Sequence, residues 1–288
     1  MPTRILLQID SDQHPSSFDS VVAIDAGVEQ ILRYGDVNAD NIVPLVHGAM
    51  FTRGGDNLKH TAIFIGGSNV QQAEELMRAA ESSFFGPVRV SLMLDANGCN
   101  TTAAAAVVAA SRHLNLTGCQ ALVLGGTGPV GRRVAQLLAS DGANVTLTSR
   151  SLERSREACE EISTKLENNP SLAALATTDQ TSTLAALKAA EVVIACGAAG
   201  IELASEQDLR SNAALKVAID LNAVPPAGIG GIGITDKAIE FGNGVAYGAI
   251  GVGGLKMKIH RASITSLFES NDRLLDAAEI YTLAKTIG

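Results

Sequence analysis

The chain has 288 residues, of which 46% are hydrophobic, and its formal net charge is -8. This length can bury a substantial core and form two domains of ordinary size, so a small disulfide-bonded scaffold is excluded. The negative charge and the absence of a lysine or arginine cluster argue against a nucleic-acid surface, which needs concentrated positive charge. We therefore expect a small-molecule partner and no nucleic acid.

The sequence predicts a soluble, cytoplasmic protein without a metal site. Its first residues, MPTRILLQIDSDQHPSS, lack the charged start, long apolar stretch and cleavage site of a signal peptide. The longest apolar run, Ala103 to Ala110, is too short to span a bilayer, so we expect no membrane partner. The histidines lack metal-ligand spacing and the cysteines form no Cys-x-x-Cys pair, which favours small buried thiols over ligands or disulfides.

The first part of the chain alternates strand-like and helix-like segments. Apolar runs predict buried strands at RILLQID, HTAIFIGG and VRVSLMLD. Helical spacing occurs in FDSVVAIDAGVEQILRY and again after Asn69, which is a good helix cap. A further helix, capped by Asn100 or Thr101, is predicted for NTTAAAAVVAASRHLN. Strands that alternate with helices indicate a parallel sheet covered on both faces.

A second alternating series begins after NLTGC, which is a plausible domain boundary. Its predicted strands are QALVLGG, NVTLTS, EVVIACG and KVAIDLN. The segment from Pro225 to Gly254 is rich in glycine, so its backbone can approach a ligand closely. Closing helices are predicted for LKMKIHRASITSLFES and DAAEIYTLAKTI. The fold class is therefore α/β with two α/β domains, the second a Rossmann-like doubly wound parallel sheet.

A glycine fingerprint lies between the first strand and the first helix of the second series. Gly126, Gly128 and Gly131 form Gly-x-Gly-x-x-Gly. The first glycine permits a tight turn, the second lets a pyrophosphate reach the backbone, and the third lets helix and strand pack closely. The strand before it and the helix after it place the positive end of that helix at a phosphate. A glycine-rich turn without a ligand is the alternative.

The residue that usually selects NAD is replaced by a basic stretch. An NAD site carries Asp or Glu about 20 residues after the fingerprint, where it binds the ribose 2′-hydroxyl. This chain has TSRSLER, which contains Ser149, Arg150 and Arg154. A guanidinium can bind a 2′-phosphate through paired charge-assisted hydrogen bonds, whereas a carboxylate would repel it. The stretch predicts NADP as the cofactor, unless both arginines are only solvated residues at a helix start.

The whole chain resembles the NADP-dependent methylene-tetrahydromethanopterin dehydrogenase family, which is related to methylene-tetrahydrofolate dehydrogenases. The resemblance rests on FDSVVAIDAG, FTRGG, TAIFIGG, FFGPVRVSLMLDANGCNTTAAA, GGTGPVG, PPAGIGGI, GAIGVGGLKMKIHRA and the ending LFES...DAAEIYTLAK. It implies a cleft between two α/β domains, a reduced pterin across it from the nicotinamide, and a homo-oligomer. It also implies an N-terminal substrate domain at 1–115, an NADP-binding domain at 116–269, and a C-terminal helix at 270–288 that packs on the first domain.

The predicted site residues form two sets. We assign to the cofactor Gly126, Thr127, Gly128, Pro129, Val130, Gly131, Ser149, Arg150, Arg154, Cys196, Gly197 and Asn222. The resemblance implies a substrate set of Asp19, Arg53, Asp95, Asn97, Asn100, Thr101, Thr102 and Lys256, with Lys256 also as the catalytic candidate. DANGCNTT also follows a strand and begins a helix, where open α/β sheets bind ligands.

Four of the substrate assignments have a simpler explanation. Asn100 and Thr101 are also typical helix caps, and Asp95 is typical of a turn. Lys256 follows two glycines, which suits contact with a ligand, but a solvated lysine at a helix start has the same pattern.

The resemblance implies NADP-dependent oxidation of methylene-tetrahydromethanopterin to the methenyl form, for which we predict direct hydride transfer. Hydride loss from a carbon between two nitrogens leaves a delocalised cation and no proton to remove, which agrees with the lack of an acid-base pair. Catalysis then consists of positioning. Tetrahydrofolate as the carrier is the alternative within the same fold, and a non-catalytic NADP sensor is the alternative from another class.

Overall fold

The computed structural model describes residues 2–167 and 169–288. Two compact units are present, one formed by Met1–Thr101 and Met257–Ile287 and the other by Thr102–Lys256. The sequence predicted divisions at 115/116 and 269/270. The two compact units divide within the helices Cys99–Ser111 and Ala249–Ser266.

The first unit begins with alternating strands and helices. In chain order they are β1 (Ile5–Ile9), α1 (Ser17–Asp25), β2 (Gln30–Tyr34), α2 (Val43–Phe51), β3 (Thr61–Ile65), α3 (Val70–Ser82), β4 (Ser91–Leu94) and α4 (Cys99–Ser111). The predicted cap of α3 is confirmed, because the side chain of Asn69 accepts a hydrogen bond from the N–H of Gln72 at 3.2 Å. All residues of β3 and β4 are buried, as expected for parallel strands covered on both faces.

The long helix predicted for FDSVVAIDAGVEQILRY is wrong in its second half. Helix α1 ends at Asp25, and Gly27 then adopts a φ of +87°. Gln30–Tyr34 forms β2, which pairs in parallel with β1. Glycine reverses the chain here without a steric cost, and strand pairing outweighs the local helical spacing.

The second unit contains the next elements of the chain. They are β5 (Gln120–Leu124), α5 (Pro129–Ser140), β6 (Asn144–Ser149), α6 (Leu152–Thr164), β7 (Leu172–Ala176), α7 (Gln180–Leu187), β8 (Val192–Ala195), α8 (Glu206–Arg210), β9 (Val217–Asp220), β10 (Lys237–Phe241), β11 (Gly244–Tyr247) and α9 (Ala249–Ser266). The predicted strands at β5, β6, β8 and β9 are confirmed. The glycine-rich segment contains the antiparallel pair β10 and β11, which the sequence did not indicate.

The chain then completes the sheet of the first unit. Strand β12 (Leu274–Leu275) pairs with β4, and helix α10 (Ala277–Ile287) follows it. The resulting five-stranded sheet has the order β12-β4-β3-β1-β2, and its pairs are all parallel. No helix within the described residues combines the length and apolar character needed to cross a membrane.

The second unit is a doubly wound sheet. Its seven strands lie in the order β10-β11-β9-β8-β5-β6-β7, and only the β10–β11 pair is antiparallel. Read from β7 to β11, this is the 3-2-1-4-5-6 order of a dinucleotide-binding fold. The order reverses between β5 and β8, so a crevice is expected at the carboxyl ends of these two strands.

Candidate cofactor and substrate sites

A cavity of about 430 Å³ lies where the strand order of the second unit reverses. The turn after β5 and the loop after β8 contribute Gly125 and Gly197 to its lining. The remaining lining residues are Thr127, Gly128, Pro129, Ser149, Arg150, Ser151, Arg154, Thr177, Cys196, Ala198, Ile201 and Leu203. The cavity thus brings together most of the residues that the sequence assigned to the cofactor.

The three fingerprint glycines have different environments. A methyl group on Gly131 would stand 2.5 Å from the Cα of Gly126, and one on Gly126 would stand 2.8 Å from Cγ of Leu147. Both positions therefore require glycine for packing between the turn, the helix and the sheet. A methyl group on Gly128 would have no atom within 4 Å. Gly128 also lines the cavity. The absence of a side chain at this position therefore leaves room for a ligand and is not required for packing within the protein.

The amino terminus of helix α5 is suited to a phosphate. The cap is the backbone of Gly128, Pro129 is the first residue of the helix, and no side chain accepts from its first N–H groups. Helix N–H groups without a side-chain acceptor carry partial positive charge and bind anions. A pyrophosphate placed against Gly128 would meet these donors.

The basic stretch after β6 presents two guanidinium groups to the cavity. Ser149 is occupied locally, because its hydroxyl donates to the carbonyl of Ser151 at 2.7 Å and accepts from the N–H of Ser151 at 3.0 Å. Ser151 in turn caps α6. Arg150 and Arg154 are exposed, and neither forms an ion pair within residues 2–167 and 169–288. In the described part of the chain, the cavity lining contains both arginines and no carboxylate.

Cys196 lies at the other side of the crevice, beside a buried carboxylate. Burial, followed by the negative charge of Asp220, raises the pKa of the Cys196 thiol, so this cysteine is a neutral lining group. Asp220 ends β9 and accepts from the N–H groups of Asn222 at 2.9 Å and Ile229 at 3.2 Å. Burial raises the pKa of the Asp220 carboxyl, while these N–H donors lower it. Sequence reasoning missed this residue, although an acid at a strand end was a usable signal.

Asn222 is not among the residues that line the cavity. Its side-chain oxygen accepts from the N–H of Val224 at 3.0 Å, and its amide donates to the carbonyl of Pro226 at 3.1 Å. The structure thus gives Asn222 a role in holding the loop that contains the cis Pro225–Pro226 bond.

The carboxyl edge of the first sheet contains a capped helix start. Oδ1 of Asp95 accepts from the N–H groups of Asn100 at 2.9 Å and Thr101 at 3.0 Å, and Oδ2 accepts from the Thr101 hydroxyl at 2.6 Å. The amide of Asn100 donates to Leu94 and Asp276. The predicted cap of α4 by Asn100 or Thr101 is therefore wrong, and Asp95 caps the helix. The three predicted substrate residues are fully buried in this arrangement.

Beside this cap lies His260, which the sequence did not single out. Its ring is fully buried, with Nδ1 4.0 Å from Oδ2 of Asp95 and Nε2 4.0 Å from Oδ1 of Asp19. The ring stacks on Phe64, with the two centroids 5.7 Å apart. The neighbouring Phe18 leaves 50% of its surface exposed. An aromatic ring and a carboxylate thus lie at the surface of this edge, supported by a buried imidazole.

The other predicted substrate residues are dispersed. Asn97 is exposed with a φ of +52°, and Thr102 is half-buried on α4. Helix α2 leads from the carboxyl end of β2 to the amino end of β3, so Arg53, just after this helix, lies at the opposite edge of the sheet from Asp95. Lys256 is half-buried and lies within α9 rather than at its start. The structure therefore does not bring Arg53 together with Asp19 and Asp95.

The fold and the crevice define an α/β protein with a Rossmann-like NAD(P)-binding unit. Residues 17–97 match the model of the N-terminal domain of methylene-tetrahydromethanopterin dehydrogenase, and residues 121–224 match the NAD dependent epimerase/dehydratase family. Bifunctional protein MdtA of Methylorubrum extorquens is 45% identical over 287 residues, which cover 99% of each chain. The NAD(P)-dependent methylenetetrahydromethanopterin dehydrogenase of the same organism is 32% identical over 296 residues, covering 100% of this chain and 99% of the other.

The chain belongs to the methylene-tetrahydromethanopterin dehydrogenase family. It is thus a dehydrogenase, an oxidoreductase of one-carbon metabolism, and the resemblance found in the sequence is confirmed. Among solved structures, shikimate 5-dehydrogenase from Listeria monocytogenes in complex with shikimate and NAD aligns with a TM-score of 0.55 at 12% identity. The alignment covers 99% of this chain and 96% of that one. This likeness concerns the fold alone and supports the predicted α/β class.

Proposed function

We propose that the protein oxidises methylene-tetrahydromethanopterin to methenyl-tetrahydromethanopterin and uses NADP as the hydride acceptor. The proposal rests on the cavity of this chain, which belongs to the family. Two exposed arginines line this cavity at the place where an NAD site has an acidic residue. Family membership supports the pterin carrier, and the arginines support the cofactor. The second unit binds the cofactor, and the carboxyl edge of the first sheet contributes groups that bind the carrier.

The cavity fits NADP in both its shape and its charge. Gly128 leaves room for the pyrophosphate at the amino terminus of α5, and the other two glycines close the packing beneath it. Arg150 and Arg154 are at the end of β6 and in the first turn of α6, where the 2′ substituent of the ribose is bound in such folds. A guanidinium pairs with a dianionic phosphate far better than with a neutral hydroxyl.

The proposed reaction requires the side chains to position the reactants and does not require them to transfer a proton. NADP, when bound, supplies a nicotinamide carbon that accepts a hydride. The methylene carbon of the carrier lies between two nitrogens, so the cation left behind is delocalised over both and no proton has to be removed. Cys196, the lining group with an acidic proton, is held neutral by burial and by Asp220. The protein therefore acts by orienting the reactants and excluding water, which can lower a barrier by several kcal/mol.

Lys256 is proposed to orient the carrier and not to act as a base. A charged lysine beside a developing cation would oppose hydride loss, so its ammonium suits a carbonyl or carboxylate of the carrier. Lys256 precedes His260 by four residues on α9, a spacing that places two side chains on one helix face. The catalytic assignment from the sequence thus becomes an assignment to substrate orientation.

A matrix of two carriers and two cofactors tests the proposal. Purified protein is assayed with methylene-tetrahydromethanopterin and methylene-tetrahydrofolate, each with NADP and with NAD, and kcat/KM is measured. We expect the highest value for methylene-tetrahydromethanopterin with NADP. A higher value with tetrahydrofolate would favour the folate alternative, and tight NADPH binding without turnover of either carrier would favour a sensor.

A further inference from the structure

The first unit contains a row of ionisable groups that leads from its interior to a partly exposed carboxylate. Asp95 is fully buried, His260 is fully buried, and the side chain of Asp19 is 13% exposed. The two nitrogens of the His260 ring each face one carboxylate oxygen at 4.0 Å. These distances exceed those of hydrogen bonds, and the two contacts are ion pairs when the ring is protonated. The imidazole therefore lies between a buried carboxylate and a partly exposed one.

The inner end of this row is fixed. Asp95 accepts two backbone N–H groups and one hydroxyl at the start of α4, so its carboxylate cannot rotate without uncapping the helix. The plane of the His260 ring is set by stacking on Phe64, with an interplanar angle of 23°. The second ring nitrogen, Nε2, lies 4.0 Å from Oδ1 of Asp19.

The outer end, Asp19, lies close to a second carboxylate. A methyl group on Gly66 would stand 3.3 Å from Oδ2 of Asp10 and 3.7 Å from Oδ2 of Asp19, so two carboxylates flank this glycine. Asp10 and Asp95 both repel a negatively charged Asp19. A neutral imidazole has one N–H and one lone pair and can attract only one of its two carboxylates, whereas the doubly protonated ring attracts both. Two carboxylates beside the ring favour its doubly protonated form, whereas full burial opposes the charge.

We propose that His260 is a positioning residue that holds the Asp19 carboxylate in the orientation that receives the pterin ring of the one-carbon carrier. This inference rests on the proposed function. The pyrimidine part of a reduced pterin presents a ring N–H and an amino group side by side, and a carboxylate accepts such a pair through two parallel hydrogen bonds. Phe18, the residue before Asp19, is 50% exposed and offers a flat apolar face for the same ring.

A double-mutant cycle tests this assignment. Asp19→Asn and His260→Gln are made singly and together, and the KM for the carrier, kcat and the Kd for NADPH are measured. We expect each single variant to raise the KM for the carrier roughly tenfold, with kcat changed less and the NADPH Kd within about twofold. The double variant should be no worse than Asp19→Asn alone, because His260 acts through Asp19. His47→Gln is the matched control, since His47 also contacts aromatic rings in this unit.

Other outcomes would overturn the inference. Effects of the two variants that multiply, or a loss of kcat at constant KM, would show that His260 does not act through Asp19. If the His260 variant does not fold, nitrogen NMR of histidine-labelled wild-type protein replaces it. Protons on both ring nitrogens of His260, with a change on carrier binding, are expected, and a neutral ring would contradict the assignment. An inactive wild-type protein would contradict the proposed function instead, because it is measured before any variant.

Discussion

At the scale of single residues, Arg150 and Arg154 are proposed to make the second unit prefer NADP over NAD. Replacing Arg150 with alanine removes a guanidinium that lines the cavity without an ion-pair partner among the described residues. Loss of a charge-assisted contact costs about 1.5–3 kcal/mol, which corresponds to roughly ten- to a hundredfold weaker NADP binding. NAD binding should change little, and titration calorimetry with both cofactors measures the two values.

Arg156→Ala is the matched control for this prediction. Arg156 is an exposed arginine on the same helix and is not among the residues that line the cavity. It should leave both affinities unchanged. Equal weakening of NADP and NAD by Arg150→Ala would mean that Arg150 has a structural role.

The fingerprint glycines allow a second prediction, because the same substitution should have opposite consequences at two positions. Gly128→Ala adds a methyl group in open space, so the protein should fold normally and bind NADP roughly ten- to a hundredfold more weakly. Gly131→Ala places the methyl group 2.5 Å from the Cα of Gly126 and should destabilise the second unit by about 1–3 kcal/mol. Thermal melting and NADPH fluorescence titration distinguish the two effects. A folded Gly128→Ala variant with normal affinity would place the pyrophosphate elsewhere.

Lys256→Ala should reduce turnover or carrier affinity and leave NADP binding and the fold intact. The reason is the loss of an ammonium that orients the carrier, on the helix face shared with His260. Lys258→Ala is a suitable control, since Lys258 is an exposed residue of the same helix. Steady-state kinetics with saturating NADP measure the effect. Wild-type kinetics in the Lys256 variant would remove this residue from the site.

At the scale of elements, local capping and burial explain which segments the sequence could predict. Helix α3 was predicted correctly because Asn69 and the regular apolar spacing after it act locally. Strands β5, β6, β8 and β9 were predicted because they are apolar runs next to turn signals. These signals lie within about ten residues of the chain and need no knowledge of the tertiary fold.

The elements that were missed depend on partners distant in sequence. Strands β2 and β7 are edge strands whose residues are partly exposed. They form strands because they pair with β1 and β6. The α4 cap was assigned to Asn100 or Thr101, whereas the acceptor is Asp95, one turn earlier and across a left-handed residue at Asn97. His260 was missed because its importance comes from Asp19 and Asp95, which are more than 160 residues away in the chain.

The Asn69 cap of helix α3 allows a prediction about the stability of a single element. Asn69→Ala removes the acceptor for the N–H of Gln72 and should lower the free energy of unfolding by about 1 kcal/mol. Asn69→Gly should cost only a few tenths of a kcal/mol, because glycine lets water solvate the same N–H group. Urea unfolding of the two variants measures the difference. Equal stability of the alanine variant and the wild type would show that the cap contributes nothing here.

At the scale of the whole molecule, the second unit is proposed to bind the cofactor and the first unit to bind the carrier. The predicted mechanism requires hydride transfer without an essential metal or acid-base residue. In the described residues, no group of three or more His, Cys, Asp and Glu side chains is placed to hold a metal ion. Asp19, His260 and Lys256 are assigned to orientation. The account therefore predicts that the hydrogen passes directly from the carrier to the cofactor.

An isotope-transfer experiment tests whether the hydrogen passes directly from the carrier to the cofactor. Carrier deuterated at the methylene carbon is oxidised in ordinary water with NADP, and the NADPH is analysed by NMR and mass spectrometry. We expect deuterium at C4 of the nicotinamide, with a rate that a strong chelator leaves unchanged and that varies little across neutral pH. Deuterium in the solvent instead of in NADPH would contradict direct hydride transfer from the carrier to NADP.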